Sequence, residues 1–251
     1  MGARRAFRVL VALAAFGVAG CPGPSDADPV VTPSTFDAAT LRTVRGRALF
    51  TGAVPAPRKL PMGGQPECAV HWSGDAFDEE VVVTEGRLAN VFVYVKAGAE
   101  AYRFAWPKEP LIIANEKCIY RPRVSGAQVH QPIRFVNGDP TAHNIHGILS
   151  SGPDFNFTLT AKGSEREIKA REQQLMLKVK CDIHPWMIGY IGVLPHPFFA
   201  VTGADGAFEL KGLPPGDYTV EAWHERLGTR EAKLKVEKAD VADVDFTFAP
   251  K

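Results

Sequence analysis

The stretch that decides the fold spans residues 179–187 and reads Val-Lys-Cys-Asp-Ile-His-Pro-Trp-Met. It places a thiol, an imidazole and a thioether within seven residues, from Cys181 to Met187. Soft sulfur ligands together with imidazole suit copper, and two His and one Cys with a weak axial Met are the ligands of a blue-copper centre. The stretch therefore predicts half of a copper site, with one His still to be supplied.

The residues around this stretch predict a loop between two β-strands. Before it, apolar and basic residues alternate, and after it residues 188–194 form an apolar run of strand length. One face of the first strand is expected to carry Leu175, Leu177, Val179 and Cys181, and the other Met176, Lys178 and Lys180. This alternation points the thiol of Cys181 towards the core.

The missing His is expected from residues 139–146, which read Asp-Pro-Thr-Ala-His-Asn-Ile-His. They follow a strand-like run, residues 133–136, and a turn of Asn, Gly, Asp and Pro. His143 and His146 are both candidates.

A His-Asn dipeptide after one strand and Cys-x-x-His-x-x-Met at the end of a later one resemble the cupredoxins of the amicyanin and plastocyanin type, over roughly residues 80–194. The resemblance implies an all-β Greek-key sandwich with one type 1 copper. It favours His143 over His146, because Asn144 follows His143 directly and would tie the two ligand segments together. The implied ligands are His143, Cys181, His184 and Met187.

The same resemblance assigns an electron port to the ligand between Cys and Met. His184 is expected to reach the surface, and Pro185 and Trp186 would form an apolar docking patch for a transient redox partner.

Residues 198–251 differ in composition from the copper region. Short strand-like runs alternate there with Gly- and Pro-containing turns. The run 202–218 resembles the carboxypeptidase-regulatory-like β module, a structural appendage. We expect a copper domain over residues 41–197 and a small antiparallel β-sandwich over 198–251. A module of this length buries little surface by itself. We therefore expect it to pack on the copper domain and to include the strand at residues 42–51 in its sheet.

The N-terminal residues predict export. Three arginines precede a short apolar run, which closes with Val-Ala-Gly-Cys at residues 18–21. We interpret residues 1–20 as a signal peptide, Cys21 as a lipid-modified N-terminus, and residues 21–40 as a flexible tether. A membrane-anchored protein of the periplasm or cell envelope is expected; the alternative is a soluble exported protein cut nearby.

The remaining cysteines are Cys68 and Cys118. An oxidising compartment permits a disulfide between them. Two free buried thiols are the alternative, because sequence separation does not show whether the Cα atoms come within reach.

Two stretches give no clear pattern. Residues 97–125 are irregular, and their apolar residues are assigned to the core or to a covering loop. Residues 164–174 are charged and predict a short helical turn or an exposed loop.

Composition narrows the function. The formal net charge of +1 would become about −2 without the leader arginines. The sequence shows no cluster of basic residues that would indicate nucleic-acid binding. Seven histidines without a His-x-His pair argue against a multicopper enzyme. We expect no enzyme but an electron-transfer protein; the alternatives are a copper carrier or sensor and a purely structural β protein.

Overall fold

The computed structural model describes residues 34–250, and nearly all regular structure in that part of the chain is β. One α-helical turn, α1, spans Pro66–Ala69, and 3-10 turns span Ala38–Thr40 and Met62–Gly64. The strands are β1 Arg42–Phe50, β2 Val83–Thr84, β3 Arg87–Leu88, β4 Phe92–Ala97, β5 Leu111–Glu116, β6 Ile119–Arg121, β7 Val124–Gln128, β8 Pro132–Asn137, β9 His143–Ile148, β10 Phe155–Leu159, β11 Glu165–Lys169, β12 Gln174–Lys180, β13 Ile188–Leu194, β14 Phe199–Val201, β15 Ala207–Leu213, β16 Gly216–His224, β17 Gly228–Val236 and β18 Phe246–Phe248. The all-β prediction is confirmed.

The first sandwich holds the stretch at residues 179–187. Its sheets have the strand orders β10-β9-β12-β13-β7 and β11-β8-β5-β6. Side chains alternate in and out along each strand, so β8 buries Ile133 and Phe135, and β12 buries Leu177 and Val179. These side chains belong to one hydrophobic core between the two sheets, which also contains Cys181.

The second sandwich is built from both ends of the described chain. One sheet has the order β15-β1-β3-β2 with β18 also on β1, and the other has the order β14-β4-β16-β17. β1 is antiparallel to β15 and parallel to β18, so the strand at the start does pair with the C-terminal segment. Strands on both sides of residue 197 share these sheets, and the domain boundary at that residue stays a prediction.

A pair of glycines joins the two sandwiches. Gly126 and Gly192 lie opposite each other on β7 and β13. A Cβ on Gly192 would lie 2.3 Å from the ring of Phe92, and one on Gly126 would lie 2.4 Å from the ring of Phe199. Only residues without a side chain leave room here for the rings of β4 and β14, which stack with centroids 5.7 Å apart.

Three sequence interpretations are corrected. Leu175 is 47% exposed and Gln174 is buried in its place, because Met176 has a φ of 57° and a register shift lies between residues 174 and 177. Residues 165–169 form β11, an edge strand with mostly exposed charged side chains, rather than a helical turn or loop. The irregular stretch 97–125 contains β5, β6 and the start of β7.

The predicted signal peptide, the predicted lipid site at Cys21 and most of the predicted tether lie outside the described residues. Within residues 34–250, no helix has the length and apolar character needed to cross a membrane.

Candidate metal centre

Two neighbouring antiparallel strands bring the candidate ligands together. β9 begins at His143, and β12 ends at Lys180, one residue before Cys181. The register pairs His146 with Lys180, so the beginning of β9 and the end of β12 meet at one edge of the sheet. The structure thus places His143 beside Cys181, although they are far apart in sequence.

Three donor atoms converge at this edge. The Nδ1 atoms of His143 and His184 are 3.1 Å apart, and Nδ1 of His184 is 3.7 Å from Sγ of Cys181. All three side chains are buried, with exposed fractions of 0%, 0% and 2%. They form a compact group of two imidazoles and one sulfur that could hold a metal ion.

Two of the three donor spacings are compatible with one metal ion held by all three donors. Bonds of about 2.0 Å to nitrogen and about 2.3 Å to thiolate sulfur, as zinc makes, would separate the two nitrogens by about 3.5 Å and nitrogen from sulfur by about 3.7 Å. The two distances in the structure, 3.1 and 3.7 Å, lie close to these values. Two imidazoles and a thiolate are donors that copper accepts.

The surroundings of Cys181 favour its thiolate form. Burial by itself raises the pKa of the thiol, but the contacts with the rings of His143 and His184 and the hydrogen bonds from the backbone N–H groups of Asn144 and His184 outweigh it and lower the pKa to about 6. The two backbone N–H groups donate to Sγ at 3.3 and 3.4 Å. A thiolate is the form that binds a metal.

Asn144 links the two ligand segments. Its backbone N–H donates to Sγ of Cys181, and its side-chain oxygen accepts a hydrogen bond from the backbone N–H of Asp182 at 3.1 Å. Its side-chain amide donates to the carbonyl of Phe157 on β10. These contacts fix the position of β9 relative to the loop.

Met187 closes the ligand loop. Its backbone N–H donates to the carbonyl of His184 at 2.9 Å, and its carbonyl accepts from the N–H of Cys181 at 3.1 Å. Its side chain is fully buried in the same hydrophobic core as Cys181. The loop is therefore a tight turn with defined ends.

Asp139 is a partner of His143 that the sequence analysis treated only as a turn residue. Nε2–H of His143 donates to its carboxylate at 2.9 Å, and the backbone N–H groups of Lys117 and Cys118 donate to it at 2.7 and 2.8 Å. Burial raises the pKa of this carboxyl, but the hydrogen bonds outweigh burial and hold the pKa below its usual value. A carboxylate that accepts from Nε2 leaves Nδ1 of His143 free for a metal.

We predict that Asp139→Asn weakens copper binding by about 10- to 100-fold, the usual effect of losing such a partner. It should also raise the reduction potential, since a neutral amide makes the imidazole a poorer donor to the oxidised ion. Competition with a copper chelator and voltammetry would measure both. Asp154→Asn, at an exposed residue just before β10, is the control, and equal behaviour of the two variants would contradict the role of Asp139.

His146 lies outside this group of donors. Its Nδ1 is 2.9 Å from the carboxylate of Asp182, and its side chain is 22% exposed. Elsewhere the ring of His130 stacks on Trp106, His71 lies 3.9 Å from Asp139, and His196 and His224 are buried. Of residues 143 and 146, only 143 faces Cys181 and His184.

Cys68 and Cys118 form a disulfide with an S–S distance of 2.05 Å and a Cα–Cα distance of 5.5 Å. Cys68 lies on α1, and Cys118 lies in the turn between β5 and β6. Among the described cysteines, Cys181 alone is free. The disulfide therefore leaves one thiol at the candidate centre.

A segment of residues 58–78, the cover segment, lies over this end of the sandwich. Its two ends pair with each other through Lys59 and Phe77, and it carries α1 with Cys68. Nε1–H of Trp72 donates to the carbonyl of Lys117, which lies in the same turn as Cys118. The cover segment is thus fastened at its base and, through the disulfide, near its middle.

The expectation that His184 reaches the surface is wrong. Its exposed fraction is 0%, because the disulfide and the ring of Trp186 lie against it. The cover segment has no hydrophobic period, so its position could not be inferred from sequence. The signal that could have revealed it was the cysteine pair itself, which ties this segment to the turn at Cys118.

No protein-family model and no curated protein matches the chain. Among solved structures, a purple cupredoxin from Nitrosopumilus maritimus is 25% identical, over 33% of this chain and 98% of that one, with a TM-score of 0.29. A variant of amicyanin in the oxidised state is 17% identical, over 34% and 81%, with a TM-score of 0.31. A copper-containing nitrite reductase from Thermus scotoductus SA-01 is 23% identical, over 39% of this chain and 24% of that one, with a TM-score of 0.31. These TM-scores are low. The identity of the metal is therefore argued from the donor atoms of this chain.

Proposed function

We propose that the protein transfers single electrons at one type 1 copper ion. The observation that supports it is a buried set of three donors, in which Nδ1 of His184 lies 3.1 Å from Nδ1 of His143 and 3.7 Å from Sγ of Cys181. Met187, buried in the same core, would be a fourth and weaker ligand. Copper in such a site changes between Cu(I) and Cu(II).

The protein would hold these ligands rigidly. The hydrogen bonds to Sγ from Asn144 and His184, and the bond from His143 to Asp139, would keep the donors in place. A rigid donor set lets the ion change oxidation state with little rearrangement, which favours fast electron transfer. The experiment is a titration with Cu(II): one equivalent should produce an intense visible thiolate-to-copper band, and no such band would refute the proposal.

The proposed docking surface lies beside the ligand loop. Since His184 is buried, the residue next to it that reaches the surface is Trp186, whose ring centroid is 5.3 Å from that of His184. Pro185 is exposed beside Trp186, and both line a cavity of about 350 Å³ between the ligand loop and the cover segment. A transient redox partner would bind here through a small interface. Electrons would then pass through Trp186 and His184.

The reduction potential of the copper site tests whether Met187 is the axial ligand. Met187→Gln should keep one equivalent of copper and lower the potential, because an oxygen donor favours the harder Cu(II) ion. Met187→Leu removes the donor and should raise the potential. Voltammetry on the three proteins would show the two opposite shifts.

Met187→Leu is also the control for packing, because Leu nearly preserves the volume of Met. If Met187 only filled the core, this variant would keep the potential of the wild type. Equal potentials would remove Met187 from the proposed ligands.

We also propose export and attachment to a membrane through lipid on Cys21. The basic flank, short apolar run and Val-Ala-Gly-Cys at residues 18–21 support it. Cys21→Ala should move the protein from the membrane fraction to the soluble fraction of the cell envelope. Fractionation followed by immunoblotting measures this, and a variant that stays with the membrane would contradict the lipid anchor.

A copper carrier or sensor is the second candidate, because it would use the same donors. A carrier must release its ion quickly. The complete burial of His143 and His184 favours electron transfer, since both ligands are closed off from solvent. A slow off-rate for copper and a reversible redox wave would support electron transfer over a carrier.

A further inference from the structure

The disulfide lies directly against the proposed copper ligands. Sγ of Cys68, Sγ of Cys118 and a ring nitrogen of His184 all lie within 4.8 Å of one another. All three side chains have an exposed fraction of 0%. Two cysteines and a histidine therefore meet in a second group of donors, on the side of His184 covered by the cover segment.

One atom of this group has no partner. Nε2 of His184 is buried and makes no hydrogen bond within the described part of the chain. Its Nδ1 atom is directed towards His143 and Cys181, which leaves Nε2 as the ring nitrogen available on another side. An unpaired buried polar atom destabilises the fold, so a ligand for Nε2 would supply the partner that this atom lacks.

We propose that reduction of the disulfide creates a second metal site, in which Cys68, Cys118 and His184 bind one soft ion such as Cu(I). Two thiolates and an imidazole are donors that suit Cu(I), as they also suit zinc. In the oxidised protein the two sulfurs are bonded to each other and are not thiolates. The second site therefore exists only in the reduced state, and it shares His184 with the proposed type 1 site.

The chemistry of the switch is thiol–disulfide exchange. A dithiol reductant attacks the S–S bond, its own two sulfurs become a disulfide, and the two electrons and two protons it gives up leave Cys68 and Cys118 as thiols. Binding of Cu(I) then displaces the two thiol protons into solution, because thiolate is the form that coordinates. Where Nδ1 of His184 also holds an ion in the type 1 site, the proton on Nε2 is displaced as well, and the ring would bridge the two ions as an imidazolate.

The backbone around the disulfide needs little movement to hold an ion. Two sulfurs on one metal, with bonds of about 2.3 Å, would be about 4 Å apart in a trigonal site. The Cα atoms are 5.5 Å apart, so rotation of the side chains can open the sulfurs to that distance. The turn at Cys118 stays fixed by its N–H bond to Asp139 and by the bond from Nε1–H of Trp186 to its carbonyl.

The test counts Cu(I) in the full chain. The protein is unfolded in guanidinium chloride, reduced with a phosphine, refolded without oxygen and titrated with Cu(I) against bicinchoninate. The reduced protein should bind two equivalents, and the oxidised protein one. The double variant Cys68→Ser, Cys118→Ser should bind one equivalent under both conditions.

Three outcomes would overturn the proposal. The first two are one equivalent in the reduced wild type and a second equivalent that survives in the double variant. A reduced wild-type chain that does not regain its β-sheet circular dichroism would also overturn it, because the site needs a folded reduced state.

Cys181→Ser separates this proposal from that of the type 1 site. When oxidised, this variant should bind no copper, whereas after reduction it should bind one Cu(I) through Cys68, Cys118 and His184. If the wild type binds none when oxidised but the reduced Cys181→Ser variant still binds one, the type 1 proposal fails and the second site stands.

Discussion

Cys181→Ser is expected to abolish the visible band and to reduce copper binding from one equivalent to none in the oxidised protein. A hydroxyl cannot replace the thiolate that receives hydrogen bonds from Asn144 and His184, and it binds copper poorly. The fold should survive, because Ser is close in size to Cys and Sγ is the only group lost. Absorbance and a chelator competition measure the site, and far-UV circular dichroism measures the fold.

The matched control is Ile183→Ser, which introduces the same residue two positions further along the loop. Ile183 is 44% exposed and contributes no donor, so this variant should keep the band and one equivalent of copper. A Cys181→Ser protein that keeps the colour would move the thiolate ligand elsewhere and would end the type 1 assignment.

His143→Ala should weaken copper binding far more than His146→Ala does. Loss of a ligand should cost more than the roughly 100-fold upper effect of losing an outer partner. His143 is fully buried with Nδ1 3.1 Å from Nδ1 of His184, whereas His146 is bound to Asp182 at the surface. We expect His146→Ala to change the affinity by less than about 10-fold.

Chelator competition on the two variants ranks their affinities directly, and each variant serves as the control for the other. Both remove one imidazole from the same strand. If His146→Ala were the weaker binder, the ligand would be His146 and the rotation of β9 in the metal-bound protein would differ from that described above.

The sequence placed the candidate donor residues near the end of a strand, but it did not predict the cover segment that buries them. Cys181, His184 and Met187 lie in one short loop, so their proximity follows from local structure. His143 needed a single further assumption, that its strand lies next to that of Cys181, and the register of β9 and β12 places it there.

The parts that sequence could not predict depend on distant contacts or on local irregularity. Burial of His184 results from Cys68 and Cys118, which approach it only in three dimensions. Asp139 reads as a turn residue, and its bond to His143 depends on the path of the chain after the turn. Leu175 was placed inside by strict alternation, which a residue with positive φ at Met176 interrupts.

The path of the chain between the two sandwiches has a mechanical consequence. β4 and β14 pair as antiparallel neighbours, with Phe199 opposite Tyr94, and the whole first sandwich lies between them in sequence. The first sandwich is therefore the connection between the two strands of a β-hairpin formed by β4 and β14. A flexible loop of about a hundred residues would cost about 4 kcal/mol to close, but a folded one presents its two ends already close together. Folding of this insert thus brings β4 and β14 together. We expect heating to unfold the two sandwiches in one transition, whose midpoint temperature rises when the insert binds a ligand.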